Sequence, residues 1–583
     1  MERKIFAFFA LAMGAMGAMA AEPATFQKVG SAAESEQEFF PGEHRARPVM
    51  GDYTNAGRMG VFSGGQDLGG STGWYADDRW GDLGNGTFAN PVLNADYSDP
   101  DVIRVGDTYY LTCSEFHFMG MVILESKDMV NWKIVGRVFD SIDLPGYSTM
   151  EKYGAGSWAP ALRYHDGKLW IYVCTPNEGL FMTTAEKPEG PWAPLHQVKS
   201  VNGWEDPCPL WDGNGNAWLG RSQLGGGPIY IHKMSADGRS LLDEGCKVYE
   251  GPTAEGTKLF MRDGYYYMSI PEGGVGTGWQ TVLRAKDIYG PWEGKRVLEM
   301  GSTRVNGPHQ GALVDTPEGE WWFYHFQSTG ARGRVMHLQP VEWRDGFPFI
   351  GSDYDGNGIG EPMKICRKPA TGVSSEPSVP QTSDDFTDGL GIQWQFNHNP
   401  DLSRIAAEDG VLKLKPLMAT KVRNSRNQLT QKLMGNHSVA TVKLDFSNLA
   451  VNDRAGIHVL GNKFMGLGVY GGALYEGKPN PVVYVETDGT VKSKKVLRNA
   501  GQTYVYLRVE GDATANKFWF SWSLDGKTFT PTNDTFEMSD GDWKGVRYGL
   551  YGYNTKADDA GGVAVFDDFV YDCDGPGRLG QKE

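Results

Sequence analysis

The sequence predicts an all-β protein, a five-bladed β-propeller followed by a β-sandwich. Three observations carry that expectation. Among 583 residues there are 78 glycines and 12% aromatic side chains, the composition of tight turns and half-buried strands, and long helical periodicities are few. A turn followed by paired aromatics recurs five times between Val105 and Phe326. Beyond a Pro- and Ser-rich stretch, strand-like alternation starts again. The chain is also too long for one ordinary domain.

The first element is a targeting segment. "MERK" is cationic, "IFAFFALAMGAMGAM" is a short apolar run and small residues follow, the pattern of a secretory signal over residues 1–21. The run is shorter than the roughly 20 apolar residues of a membrane span, and no cysteine follows it for a lipid. The expectation is an exported protein, periplasmic or extracellular, with no membrane anchor once the signal is removed. Residues 22–89 are Gly-rich and read as an irregular extension wrapping the propeller. A net charge of -16 argues against nucleic acid or an anionic membrane as partner. An acidic, aromatic-rich chain suits a neutral ligand such as a sugar. The six cysteines (Cys113, Cys174, Cys208, Cys246, Cys366 and Cys573) lack C-x-x-C spacing, which argues against zinc, and most read as small buried residues.

The propeller, residues 90–366, comes from the repeat. Its copies are "VGDTYYLT", "HDGKLWIYV", "DGNGNAWLG", "RDGYYYMSI" and "EGEWWFYHF", with Tyr110, Trp170, Trp218, Tyr266 and Trp322 as equivalent aromatics 60, 48, 48 and 56 residues apart. Later in the unit, "SKDMVNWKIV", "AEKPEGPWAP" and "AKDIYGPWEG" are copies of one another. Units of roughly 50 residues with about four strands each make propeller blades. Counting back eleven to thirteen residues from each aromatic reaches Asp99, Trp158, Asp206, Glu255 and His309. The first strand of a blade lines the central channel, so this slot gathers three acids, a tryptophan and a histidine at one mouth. That accounts for the acids of "ADYSDPD", since Asp is disfavoured in strands and costly to bury unpaired. Acids at strand starts also serve as local turn groups, but several in register point to a shared cavity.

Three carboxylates in an aromatic-walled pocket point to glycoside hydrolysis. Protonating a leaving oxygen needs a neutral carboxylic acid, activating water needs an ionised one, and neighbouring carboxylates push each other's pKa apart. Carboxyls roughly 6.5–9.5 Å apart leave room for water and invert the anomeric centre, whereas about 5–5.5 Å marks a retaining nucleophile.

Five motifs in order, "NPVLNADYSDPDVIRVGDTYYL", "SWAPALRYHDGKLWIYV", "WEDPCPLWDGNGNAWL", "AEGTKLFMRDGYYYM" and "NGPHQGALVDTPEGEWWFYHF", resemble glycoside hydrolase family 43. The resemblance implies an inverting β-xylosidase or α-L-arabinofuranosidase acting on xylo- or arabino-oligosaccharides. It assigns Asp99 as the base that activates water, Glu255 as the acid, and Asp206 as the group that orients the acid and tunes its pKa. One departure is "EGTK" where many relatives carry "EGPH". Trp158, Phe116, Phe118, Trp279 in the Gly-rich "GVGTGWQ" and Arg334 in "ARGRVMHLQPV" are candidate substrate-binding residues. His309 is a candidate ligand for water or a structural calcium, as in many relatives; no cofactor is expected for catalysis. "GSDYDGNGIGEP" (351–362) resembles a calcium loop in composition but reads as a tight turn.

"RKPATGVSSEPSVPQTS" reads as a linker over 367–383, residues 384–575 as a β-sandwich and 576–583 as a tail. "SDDFTD" and "FDDFVYD" bracket the sandwich like the paired terminal strands of a jelly roll, and Asp384 and Asp568 are candidate ligands for a structural calcium there. The region resembles the concanavalin-like domain of some family-43 β-xylosidases, in which a sandwich loop helps close the pocket. Two rival readings remain: a retaining fructan-type five-bladed glycosidase, faintly signalled by "WEDP", and a non-catalytic carbohydrate-binding propeller.

Overall fold

The computed structural model describes residues 77–576, apart from 473, 476–477, 480, 498–500 and 542. The signal segment and most of the N-terminal extension therefore lie outside the described residues. Five four-stranded antiparallel sheets follow one another along the chain, beginning with the strands Asp101–Val105, Trp158–His165, Trp204–Trp211, Lys258–Arg262 and Leu313–Asp315. Each blade is a meander of strands consecutive in sequence. The tight turns are built as their residues demand: Asp166-Gly167 and Asp263-Gly264 both take positive φ, the hairpin geometry that matches strand twist. First strands of blades one and two, two and three, three and four, and five and one meet around the axis.

Just before each first strand straightens, one residue adopts a left-handed backbone: Asp99 (φ 52), Ala159 (39), Asp206 (53), Gly256 (61) and Gln310 (38). This fivefold recurrence corrects the single slot inferred from counting. Asp99 and Asp206 occupy the left-handed position itself, whereas Trp158, Glu255 and His309 stand one residue earlier. The earlier position in blades one and three holds Ser98 and Glu205. Counting from aromatics across turns of unequal length blurred two adjacent positions into one.

The end of the extension, from residue 77 on, forms regular structure. Gly81–Asp82, Thr87–Ala89 and Ile365–Arg367 form a three-stranded sheet, with buried Phe88 packed on Trp322 at 6.1 Å between centroids. The Pro- and Ser-rich linker is bound to blade one. Gln381 accepts from the Ile134 N–H and donates to the Ile134 carbonyl, and the Ser378 N–H donates to Asn131. This covers the exposed edge of the strand Lys133–Arg137.

The second domain is a sandwich of two sheets. One includes Leu429–Lys432, Arg547–Asn554, Asp453–Leu460 and Phe464–Tyr470; the other includes Ala564–Cys573, His437–Asp445, Tyr504–Asp512 and Lys517–Ser523. Strict alternation of buried and part-exposed residues along Tyr504–Asp512 puts Val505, Leu507 and Val509 in the core. Asp384 and Phe569 bridge, so the bracketing acidic segments do pair. Five of the cysteines are buried and Cys246 is exposed.

Candidate active site

Strand alternation should turn Glu205 and Asp206 to opposite faces. The left-handed kink at Asp206 and a slip in pairing between Glu205 and Cys208 break that alternation, and both acids line one pocket. The same device in blade two, with a slip between Trp158 and Ala161, brings Trp158 and Ala159 to the pocket together. The cavity, about 120 Å³, is lined by Asp99, Glu205, Asp206, Glu255, Gln310 and Arg334, with Phe116, Trp158, Leu224, Val275 and Trp543 as apolar wall.

Each acid is held differently. Asp99 Oδ1 accepts from the Arg334 guanidinium at 2.8 Å, and Oδ2 from the hydroxyls of Ser98 (2.9 Å) and Ser114 (2.6 Å). Asp206 Oδ2 accepts from Ser222 Oγ at 2.6 Å and from the Gly256 N–H at 2.7 Å, and Oδ1 from the Gln310 amide at 3.1 Å. Glu255 Oε1 pairs with His309 Nε2 at 2.9 Å. Glu205 Oε1 takes the N–H groups of Gly225 and Gly226 at 3.1 and 3.3 Å. One oxygen from each of Glu205, Asp206 and Glu255 lies within 4.8 Å of the others. Trp158 meets Phe116 edge-on at 5.4 Å and Trp543 at 5.6 Å, so the tryptophan from the sandwich completes an aromatic wall begun by the propeller.

Known proteins share this architecture. A model of glycosyl hydrolases family 43 matches residues 88–348, and the beta xylosidase C-terminal concanavalin A-like domain matches residues 383–572. A Xylanibacter ruminicola protein named as a putative beta-xylosidase is 50% identical over 81% of this chain and 87% of its own length. A Formosa agariphila protein named beta-xylosidase is 36% identical over 86% of this chain and 93% of its own. The chain belongs to glycosyl hydrolase family 43. A solved bifunctional GH43-CE protein of Bacteroides eggerthii is similar over 85% of this chain and 64% of that one (TM-score 0.72, 29% identity). The GH43 BlXynB protein of Bacillus licheniformis is similar over 83% of this chain and 99% of that one (TM-score 0.70, 27% identity).

The electrostatics of this family-43 glycosidase centre on its clustered acids. Burial, then the neighbouring Glu255 carboxylate, pushes Asp206 up to about 6. Burial and the adjacent Asp206 raise Glu205 well above the usual carboxyl range, against the pull of two backbone amides. Like charges this close in a buried site cannot all ionise. Burial and mutual repulsion thus favour the protonated forms of Asp206 and Glu205.

Six residues singled out in the sequence line the pocket: Asp99, Asp206, Glu255, Phe116, Trp158 and Arg334. Phe118 does not. It is buried among Leu460, Phe464 and Tyr551 of the sandwich, under the Arg547 guanidinium at 3.7 Å; the left-handed backbone at Phe116 (φ 54) breaks the alternation that would put the two rings on one face. Trp279 lies outside the pocket too. It starts the strand Trp279–Ala285, covered by the Arg296 guanidinium at 3.7 Å, with Nε1 bonded to Thr281. In "EGTK", Lys258 Nζ bonds the Pro160 carbonyl and stands 3.6 Å from Asp101, so the departure from "EGPH" is spent on the channel below the pocket.

Of the candidate calcium ligands, His309 and Asp384 are already hydrogen-bonded within the protein. Calcium takes six to eight oxygen ligands, and His309 has spent Nε2 on Glu255; among the described residues it joins no group of three candidate ligands. Asp384 caps a turn, accepting from the N–H groups of Phe386 and Gly391 and from Trp394 Nε1, while Asp568 is exposed and, among the described residues, gathers with no such group. Asp353, Asp355 and Glu361 do cluster, but the Glu361 carboxylate accepts from the backbone of Tyr354, Asp355 and Ser302 and closes the loop as a turn. Sequence reasoning missed Glu205, Gln310 and Trp543. The first two were legible in the repeat once both adjacent positions are read; Trp543, in a sandwich loop, gave no signal of its own.

Proposed function

We propose that this glycosidase is an exported, inverting exo-enzyme that removes single xylose or arabinose units from xylan or arabinoxylan fragments. The observation that carries the reading is one small cavity in which Asp99, Asp206 and Glu255 meet an aromatic wall closed by Trp543. A pocket sealed by a second domain accepts a chain end more readily than a chain interior. Names among the relatives support a pentoside: the two beta-xylosidases above, and a Bacteroides ovatus non-reducing end alpha-L-arabinofuranosidase 28% identical over 65% of this chain and 74% of its own.

Asp99, gripped by Arg334 and two serines, takes a proton from the attacking water. Glu255 delivers a proton to the leaving oxygen, with His309 fixing its Oε1. Asp206 fixes the backbone beside Glu255 through the Gly256 N–H and adds negative charge next to the proton donor. Faced by Trp158, the sugar ring stacks while Arg334 and Gln310 offer donors to its hydroxyls. Catalysis on this reading uses no metal or cofactor. The "MERK…AMAAEP" leader supports export, periplasmic or extracellular.

Aryl β-D-xyloside and aryl α-L-arabinofuranoside should both be assayed, with the first-formed anomer followed by NMR. Inversion is the expected outcome; retention would move the protein to the fructan-type double-displacement reading. Glu255→Gln should lower kcat by roughly 10²–10⁴-fold. Undiminished turnover in that variant would remove Glu255 as the acid, and a wild type inactive on every pentoside would favour a sugar-binding role.

A further inference from the structure

Asp99 explains one acid of "ADYSDPD"; Asp96 needs its own account. It is 2% exposed, and its two oxygens serve different domains. Oδ1 accepts from the Arg334 N–H at 3.0 Å and Oδ2 from the Gly545 N–H at 2.9 Å. Arg334 is the residue whose guanidinium grips Asp99, and Gly545 lies two positions after Trp543. The approach is tight on both sides. A Cβ on Gly333 would stand 2.4 Å from Asp96 Oδ1 and 2.6 Å from Gly545 Cα; one on Gly545 would stand 2.8 Å from Asp96 Cβ and 2.9 Å from the Arg332 carbonyl oxygen. Gly333 also has φ 71, a backbone that side chains rarely adopt.

The sandwich grips the preceding turn as well. In the short turn Gly330–Arg332, the Ala331 N–H donates to Asn516 Oδ1 at 2.8 Å and the Arg332 guanidinium to Asn436 Oδ1 at 2.7 Å. The Val546 N–H donates to the Ala331 carbonyl at 2.8 Å. The sandwich thus holds both Asp96 and the segment that ends in Arg334.

We infer that Asp96 is a positioning residue through which the sandwich sets the Arg334–Asp99 pair and the Trp543 wall in one fixed relation. The second domain then acts on the water-activating side of the site as well as on its aromatic lid. The inference rests on the proposed role of Asp99. It separates two functions of the sandwich: Trp543 contacts the bound sugar, while Asp96 and the gripped turn hold the geometry in which the base activates water. Misplacement by about 1 Å costs on the order of 10²-fold in rate.

The test is steady-state kinetics of the full chain on whichever aryl pentoside the wild type cleaves. Asp96→Asn turns one acceptor oxygen into a donor facing an N–H. It should lower kcat by about ten- to a hundredfold with KM within about threefold. Trp543→Ala should do the reverse, raising KM with kcat largely kept. Asn516→Ala, which removes the acceptor under Ala331, should follow Asp96→Asn in kcat, and Asn516→Asp, which keeps that oxygen, should restore it. A folded Asp96→Asn enzyme with wild-type kcat, or Asn516→Asp as impaired as Asn516→Ala, overturns the positioning role. Should Asp96→Asn fail to fold, the Asn516 pair decides. Wild-type inactivity on both pentosides would instead defeat the reading of the site on which this rests.

Discussion

At Asp206, burial and Glu255 raise the carboxyl to about 6 while Ser222, Gly256 and Gln310 hold its oxygens in place. The unfolded chain titrates this group near 3.8. Between about 3.8 and about 6 the folded state carries the extra proton, so this group makes stability fall as pH rises through that window. Asp206→Asn, neutral at every pH, should therefore melt above the wild type at pH 7 and lose that advantage at pH 4, while kcat drops by roughly 10²-fold. A melting temperature below the wild type at pH 7 would show that the charge is not the strained element. The residue scale is also where the sequence was most and least legible. Asp99, Asp206 and Glu255 stand in a repeat whose period survives in the aromatics. Glu205 was hidden because period-two alternation sends it outward, and only a left-handed residue, invisible in composition, turns it in.

Blades were legible as elements because turn chemistry and alternation are local. What local patterns could not show is how the ring closes. Each blade uses consecutive strands, so among the described residues no strand exchange fastens blade five to blade one. Asn90 supplies the fastening. It is fully buried, donates to the carbonyls of Leu338 and Met363 at 2.8 and 2.9 Å, and accepts from the Leu338 N–H at 2.8 Å. Beside it, Leu93 bridges Met336 of blade five. Asn90→Ala strands three buried backbone groups and should destabilise the protein by about 2–4 kcal/mol, with kcat at low temperature unchanged. Denaturant unfolding monitored beside activity checks both halves; an unchanged midpoint would mean that the ring is fastened elsewhere. The linker and the end of the extension were hard to read because Pro, Ser and Gly report backbone freedom, not the side chains such as Gln381 and Phe88 that anchor these segments.

Across the whole molecule, the two domains share one apolar core. A single apolar cluster runs from Trp80, Tyr109 and Trp322 on the propeller side to Val442, Leu507 and Phe566 of the sandwich. At the interface, Glu115 of the propeller is fully buried, and one of its oxygens meets both Lys432 Nζ and the Arg547 guanidinium of the sandwich at 2.9 Å. Burial alone would raise this carboxyl, but the two cations hold it below its usual 4.5. Its stabilising contribution is therefore present above pH 4.5 and is lost as pH falls through the lowered folded value. Removing the charge leaves two buried cations facing each other, a change that typically costs about 3–5 kcal/mol. Calorimetry of the wild type at pH 7 should give one cooperative transition. Glu115→Gln should lower it by several degrees or split it into two, and the loss of lid contact at Trp543 should raise KM in parallel. A Glu115→Gln protein that melts in one step at the wild-type temperature would show that apolar packing alone joins the domains.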